Sequence, residues 1–392
     1  MIKNRLLKKL SKELIIPLSS CINFLIPKRT NTVLLYTANG KICYSLIPLR
    51  EYLLQQGYDK KYQIYCGVSD KKYFEDIKGV NYVSGIKSIM VFFRAAHVFY
   101  SAGQLPIKPS RHQIVIHMRH GNANYKCLGL LCGINSGDNF LFTYMIAPSD
   151  YYIPYMAKEY GCPESCIKVA GDPLCDQLLL APRNAYDFSR FSKILLWLPT
   201  YRQSDFYNHN DTQLTTLVPL FEEEEYGKLN DLLAKYNIHL IVKLHPGQTE
   251  LEGKQRHFSH LNVYSHKEFC ETNYDMYTLM AQSDGLIGDY SSASMQYLLM
   301  DRPLAYVVPD IEEYERNRGF VFDHPEDYMG GHIIKNKEQF YRFIEDFAQG
   351  KDVYKDKRHR VCDQIYKFQD ANSCQRIVNL SGMVLDGLID GR

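Results

Sequence analysis

Short runs of apolar and β-branched residues, each followed by a stretch with helical spacing, set the rhythm of this chain. Thr32–Tyr36 reads as a strand and Leu46–Gln56 as a helix. Strands follow at Tyr62–Gly67, Tyr82–Val83, His97–Ser101, Gln113–His117, Thr143–Ala147 and Ile167–Ala170, with a helix over Tyr152–Tyr160. Around Ala181–Ser192 the pattern lapses into a polar stretch containing Pro182, then restarts with a strand at Ile194–Leu198. A helix ending near Tyr236, the strand Ile238–Leu244 and the helix Tyr277–Gln282 come next. The strand Gly285–Gly288, the helix Ala293–Met300 and the strand Leu304–Val308 complete the series. Such alternation predicts parallel sheets covered by helices. The expected fold class is α/β, with two Rossmann-like domains facing a central cleft. The segments expected are 1–30, a domain over 31–185, a second over 190–350, and C-terminal helices over 351–392. Ligands of such sheets sit beyond the carboxyl ends of the strands.

Composition narrows the class. With 392 residues, 45% hydrophobic and 23% charged, the chain is long enough for two buried cores, and a net charge of +2 gives no case for nucleic acid. The charge is unevenly placed: seven basic residues stand against Glu13 in the first thirty, a local net charge of +6. The apolar run Leu14–Pro27 is broken by Pro17, Ser19 and Ser20, so it falls short of the roughly 20 residues that span a bilayer. An interfacial helix is expected, with Leu6, Leu7, Leu10, Leu14 and Ile15 at the acyl boundary and the cations on anionic headgroups. The alternative is an amphipathic helix packed on the protein's own body. Eleven cysteines form no Cys-x-x-Cys pair, which fits reduced thiols in the cytoplasm and gives no metal site.

Four segments carry candidate chemistry. In Asp289-Tyr290-Ser291-Ser292 a strand ends and a helix begins, so two hydroxyls and free backbone N–H groups meet where an anion is favoured. Lys243-Leu244-His245-Pro246-Gly247 delivers a histidine onto a turn at a strand's carboxyl end, and His120-Gly121-Asn122-Ala123 follows another strand. Asp310–Phe320 carries arginines that can neutralise a diphosphate bidentately, the alternative being a solvated charged loop.

In order and spacing these segments resemble the CDP-glycerol glycerophosphotransferase family, which contains teichoic-acid primases, polymerases and related capsule enzymes. The resemblance runs from Asn39-Gly40-Lys41 to Asp370–Arg376. His120-Gly121-Asn122-Ala123 stands where the family has His-Gly-Thr-Pro, followed by Lys126 and Gly129, and Gly171–Asp176 stands where it has Gly-Tyr-Pro-Arg-Asn-Asp. Leu198-Pro199-Thr200-Tyr201-Arg202 is similar to Ala-Pro-Thr-Trp-Arg. Lys243–Pro246, Asp289–Ser292, Arg318-Gly319-Phe320 and Phe322-Asp323 match unchanged. Departures fall at Asn122, Ala123, Leu174 and Met329-Gly330-Gly331, which leaves the acceptor and the exact polyol open.

The resemblance implies a GT-B-like architecture, a CDP-glycerol donor in the C-terminal domain, and a glycan or lipid-linked glycan acceptor approaching from the N-terminal one. The implied step is attack of an acceptor hydroxyl on the β-phosphorus, with CMP leaving. His120 is the expected base and His245 the group at the bridging oxygen of CMP. Ser291, Ser292 and Arg318 are expected to hold the diphosphate, with Lys243, Arg202, Asp289 and Gly121 in support. No acidic cluster forms a magnesium cage, although a Mg²⁺ held by phosphates and water needs few protein ligands. The expected place is the cytoplasmic face of the membrane. A CDP-ribitol enzyme, a glycosyltransferase using a nucleotide sugar, and a non-catalytic glycan-binding protein are the competing readings; the last predicts decay of the site residues, which are all present.

Overall fold

Fully apolar runs of four to six residues become the strands of two parallel sheets, as expected when both faces of a sheet are covered. The computed structural model describes residues 11–38, 40–119, 121, 123–132, 140–204, 209–247 and 256–385. By contacts the chain forms two units. The first comprises Met1–Asn122, Leu128–Gln177 and Tyr366–Arg392, and the second comprises Ala123–Cys127 and Leu178–Ile365.

In the first unit the strands are β1 (Arg29–Tyr36), β2 (Gln63–Val68), β3 (Val80–Ser84), β4 (Ala95–Tyr100), β5 (Ile114–His117), β6 (Tyr144–Ala147) and β7 (Ile167–Val169). Their order is β3-β2-β1-β4-β5-β6-β7, every pair parallel. The helices are α1 (Ile16–Leu25), α2 (Leu46–Gln55), α3 (Ile86–Arg94), α4 (Ile153–Tyr160) and α5 (Pro173–Leu180), the last running across the boundary between units. α2 buries Leu46, Leu49 and Leu53, the spacing of one helical face. The expected interfacial segment is α1 with the turn before it. Asn23 donates to Lys108 O and Gln113 Oε1, and Lys28 to Phe93 O, so the helix does pack on the body. Its other face stays in solvent: Leu18, Phe24 and Leu25 are 65%, 62% and 79% exposed. Leu6, Leu7 and Leu10 lie outside the described residues.

The second unit has a six-stranded parallel sheet of β8 (Lys193–Trp197), β11 (Ile238–Lys243), β12 (Leu261–Tyr264), β13 (Gly285–Gly288), β14 (Leu304–Val307) and β15 (His332–Ile334). The order is β12-β11-β8-β13-β14-β15. β9 (Gln203–Ser204) and β10 (His209–Asn210) form a separate antiparallel pair. The helices are α6 (Tyr226–Lys235), α7 (His266–Glu271), α8 (Met276–Gln282), α9 (Ser292–Tyr297), α10 (Ile311–Asn317), α11 (Lys337–Ala348) and α12 (Lys355–Ile365); α13 (Ser373–Leu380) returns to the first unit. α11 shows how the sequence specifies such a helix. The Asn336 side chain accepts from Gln339 N at 3.0 Å, and Phe340, Phe343, Ile344 and Phe347 recur at i, i+3, i+4 and i+7 to cover the sheet.

The charged stretch at 310–320 is not a loop. It folds as α10, because Ile311 and Tyr314 share one buried face while Glu312 and Glu315 remain in water. Gly331, where the resemblance has proline, is fixed by a close approach. A Cβ there would lie 2.0 Å from Leu304 O, so only glycine lets β15 pair with β14.

Gly331→Ala is expected to destabilise the protein by about 2 kcal/mol or more, because the obstacle is backbone that cannot move aside. Gly227→Ala, near the start of α6 with open space around it, is expected to stabilise by roughly 0.5–1 kcal/mol. Thermal unfolding of both variants checks the pair; a higher Tm for Gly331→Ala refutes the packing argument.

Candidate active site

In the second sheet the winding reverses between β8 and β13, where such folds take their ligands. Beyond the carboxyl ends of these strands lie Thr200-Tyr201-Arg202 and Asp289-Tyr290-Ser291-Ser292. β11 ends next to His245 and β14 next to Asp310. The expected residues Arg202, Lys243, His245, Asp289, Ser291 and Ser292 are therefore all carried at one edge of one sheet, and α10 is followed by Arg318.

At the centre is a buried ion network. Arg202 donates through Nη1 to Asp289 Oδ2 at 2.8 Å and through Nε to Asp310 Oδ2 at 2.6 Å. Asp289 Oδ2 also accepts from Thr200 N and Oγ1, each at 2.8 Å. Asp310 accepts from Thr212 Oγ1 at 2.8 Å and from Tyr290 Oη at 3.0 Å. The guanidinium lies 4.8 Å from the centroid of the Tyr290 ring, a cation–π contact. Burial alone works against charge on Arg202, yet Asp289 and Asp310 hold its pKa above the ordinary value. Burial likewise raises the carboxyl of Asp310, and Arg202 with the hydrogen bonds overrides it to a net lowering. Arg202 and Asp289 thus form the frame of the site, and the charge of Arg202 is neutralised within it.

His245 is held in one tautomer. Its Nδ1 accepts the Gly247 N–H at 2.9 Å, so in the neutral ring the proton resides on Nε2. The ring packs against Tyr201 with centroids 4.8 Å apart. Burial, reinforced by the positive charges of Lys126 and Lys243, pushes its pKa down to about 3. At neutral pH it is a neutral hydrogen-bond donor through Nε2. Lys243 itself donates to Leu244 O at 3.3 Å and lies over the Phe269 ring, and burial lowers its pKa.

Ser291 precedes α9 in an extended conformation, and its hydroxyl is 3.3 Å from Ser294 Oγ. Arg318 is half-buried, with Nη1 3.8 Å from Asp211 Oδ1. Arg316, the other arginine of that stretch, is exposed and lines a cavity of about 410 Å³ with Gln213, Glu312 and Glu313, which borders the cluster at Asp310. Gly121 belongs to the first unit, with φ +116°. His120 lies outside the described residues. Among those described, no group of three or more His, Cys, Asp or Glu side chains is placed to hold a metal ion.

Sequence reasoning missed Lys126, Asp211 and Asp310. Residues Ala123–Cys127 join the second unit as a ribbon against Gly319–Val321. Cys127 N donates to Gly319 O at 3.0 Å and Val321 N to Tyr125 O at 2.7 Å. Only the family spacing pointed to Lys126, and nothing in the pattern assigned it to the second sheet.

The two doubly wound parallel α/β sheets define a GT-B-like fold, and a solved structure shares it. Over 97% of this chain and 98% of that one, the structure of the wall teichoic acid polymerase TagF superposes with a TM-score of 0.70 at 19% identity. The chain belongs to the CDP-Glycerol:Poly(glycerophosphate) glycerophosphotransferase family, whose model matches residues 19–381. It is 25% identical to the teichoic acid ribitol-phosphate polymerase TarL of Staphylococcus aureus strain NCTC 8325, over 91% of this chain and 63% of that protein. Identity is 26% to the teichoic acid poly(glycerol phosphate) polymerase of Bacillus subtilis strain 168, over 88% of this chain and 47% of that one. The chain therefore spans about half to two thirds of the length of these two relatives.

The pKa shifts carry a sign. Because the folded pKa of His245 lies below the ordinary 6.5, the unfolded chain binds a proton there that the folded one refuses. Folding is thus weakened progressively from about pH 6.5 down to about 3. For Asp310 the lowered pKa gives stability that is present above the ordinary carboxylate value and lost as pH falls through the folded one. NMR of labelled histidines is expected to show His245 neutral and protonated on Nε2 down to about pH 4; an imidazolium at pH 6 refutes the assignment.

Proposed function

We propose that this protein transfers glycerol phosphate from CDP-glycerol to a hydroxyl of a membrane-associated teichoic- or capsule-type glycan, releasing CMP. The observation that carries the reading is the neutral His245, whose ring proton sits on Nε2, after β11 in a sheet that also presents Ser291, Ser292 and Arg318. A nucleoside diphosphate needs that set: donors for its oxygens and a hydrogen bond for the oxygen that departs. The acceptor oxygen bonds to the β-phosphorus, the bond from that phosphorus to the bridging oxygen breaks, and the bridging oxygen leaves with CMP. The acceptor's proton passes to His120, the proposed base, and Gly121 gives that turn its backbone freedom. His245 donates to the bridging oxygen as negative charge grows there. Lys243 contributes positive potential, and Arg202 with Asp289 holds the strand ends in place.

Ribitol phosphate is the second reading, favoured by the similarity to TarL, which is as close as the similarity to the glycerol phosphate polymerase. CMP release from CDP-glycerol, CDP-ribitol and UDP-sugars in the presence of linkage-unit or capsule acceptors separates the readings. CDP-glycerol is expected to be turned over, and His245→Ala to lower kcat about 10²-fold or more with the Tm retained. Turnover of UDP-sugars alone overturns the proposal.

The proposed place is the membrane surface. Leu14, Ile15, Leu18, Phe24 and Leu25 are exposed beside Lys28 and Arg29, and Ile86 and Met90 of α3 are exposed beside Lys87 and Arg94. No helix among the described residues is long and apolar enough to cross a bilayer, so attachment would be peripheral. A Leu18→Ser/Phe24→Ser/Leu25→Ser variant is expected to lose most of its sedimentation with phosphatidylglycerol vesicles while keeping its Tm. Undiminished sedimentation places the attachment elsewhere.

A further inference from the structure

Around the ion network of the second unit several polar groups have no hydrogen-bond partner among the described residues, and three of them bear on a ligand. Arg318 Nε is a buried donor without a hydrogen-bond partner, and Asp289 Oδ1 is a buried acceptor without one. The third is the ammonium of Lys126. The Lys126 peptide pairs with that of Phe320, so its side chain starts two residues from Arg318 across the ribbon. The ribbon is fixed rather than draped. Tyr125 Oη donates to Tyr328 O at 2.9 Å and its ring packs edge-on against Tyr306 and Phe322, while Cys127 Sγ contacts Phe320 O at 3.0 Å.

From that anchor the amine lies within electrostatic reach of Asp289, Arg202, Asp211 and Arg318, and of the His245 ring. Burial pulls its pKa down to about 8, with Asp289 and Asp211 opposing and Arg202 and Arg318 adding to the fall. Yet no acceptor stands within hydrogen-bond distance of it among the described residues. Two other cations of the unit are matched by carboxylates: Arg202 by Asp289 and Asp310, and Lys337 by Glu225. A half-buried ammonium and a buried arginine Nε–H, neither with an acceptor among the described residues, are both groups that an anion would complete. An oxyanion with several acceptor atoms does so.

We propose that Lys126 is a direct ligand of the donor's β-phosphate, acting with Arg318 on the phosphoryl group that is transferred. The assignment rests on the nucleoside-diphosphate reading of the site and adds to it a residue contributed by a distant segment of the chain. The ammonium neutralises the group under attack, and His245 Nε2–H serves the bridging oxygen.

The test is calorimetric binding of CDP and of CMP to the full chain and to Lys126→Ala, Lys126→Gln and Lys126→Arg. CDP carries the β-phosphate and CMP does not, so Lys126→Ala and Lys126→Gln are expected to lose at least tenfold in CDP affinity and little in CMP affinity. Lys126→Arg is expected to recover most of the loss. As pH rises through about 8, the wild type's preference for CDP over CMP is expected to shrink and that of Lys126→Arg to persist; the groups facing the amine are Asp289, Asp211, Arg202, Arg318 and His245. An unchanged CDP affinity in Lys126→Ala, or an equal loss of CDP and CMP, overturns the assignment. If the wild type itself binds neither nucleotide, the donor reading falls first and this residue's role falls with it.

Discussion

Arg202 is the keystone of the second unit. Three parallel strands end side by side, and each carries a residue whose charge or hydroxyl would be stranded without it: Thr200 after β8, Asp289 after β13 and Asp310 after β14. Bringing two carboxylates under the same buried surface is unfavourable by itself, and a single guanidinium between them reverses the sign. Its planar fork suits this better than an ammonium would, since separate N–H groups reach separate oxygens. Removing one partner from such a set costs about 3–5 kcal/mol, because the remaining charge is left buried and unpaired. The network also sets the geometry of everything next to it. Tyr290 is pinned by Asp310, so the backbone that presents Ser291 and Ser292 is pinned as well.

Electrostatic division of labour follows from that frame. Arg202 is consumed by structure, and the groups proposed to meet a ligand are Lys126, Arg318 and the neutral donor His245. A ring that stays unprotonated at neutral pH avoids repelling its lysine neighbours, and still offers a proton in a hydrogen bond. In a site destined for an anion, a neutral donor among cations keeps the empty pocket from accumulating more positive charge than the fold tolerates.

Much of this was legible in the sequence. The strands were readable because parallel sheets covered on both faces demand runs dominated by apolar residues, as in Ala95–Tyr100, interrupted only by His97, and Gly285–Gly288. The residues at the strand ends were readable from motif spacing: Arg202, His245, Asp289, Ser291 and Ser292 share one edge. What failed was local periodicity where a helix buries only two residues. α10 looked like a charged loop because Ile311 and Tyr314 are diluted by four charged neighbours. α3 was hidden for a related reason, since it buries Ser88 together with Phe92. Lys126 was out of reach of any such reading: its membership in the second unit depends on a pairing with Phe320, nearly two hundred positions away, which no pattern along the chain encodes.

The ribbon at Ala123–Cys127 has a consequence for how the chain is assembled. The polypeptide leaves the first unit for five residues, returns for fifty, enters the second unit at Leu178 and comes back at Tyr366. Neither unit is a continuous stretch. The second can close its ribbon only with a segment made before its own sheet, and the first needs α13, which follows the whole second sheet in the chain. Finishing one domain from an uninterrupted stretch while the next is still being made is therefore not open to either unit: each core is closed by chain that lies beyond a segment of the other.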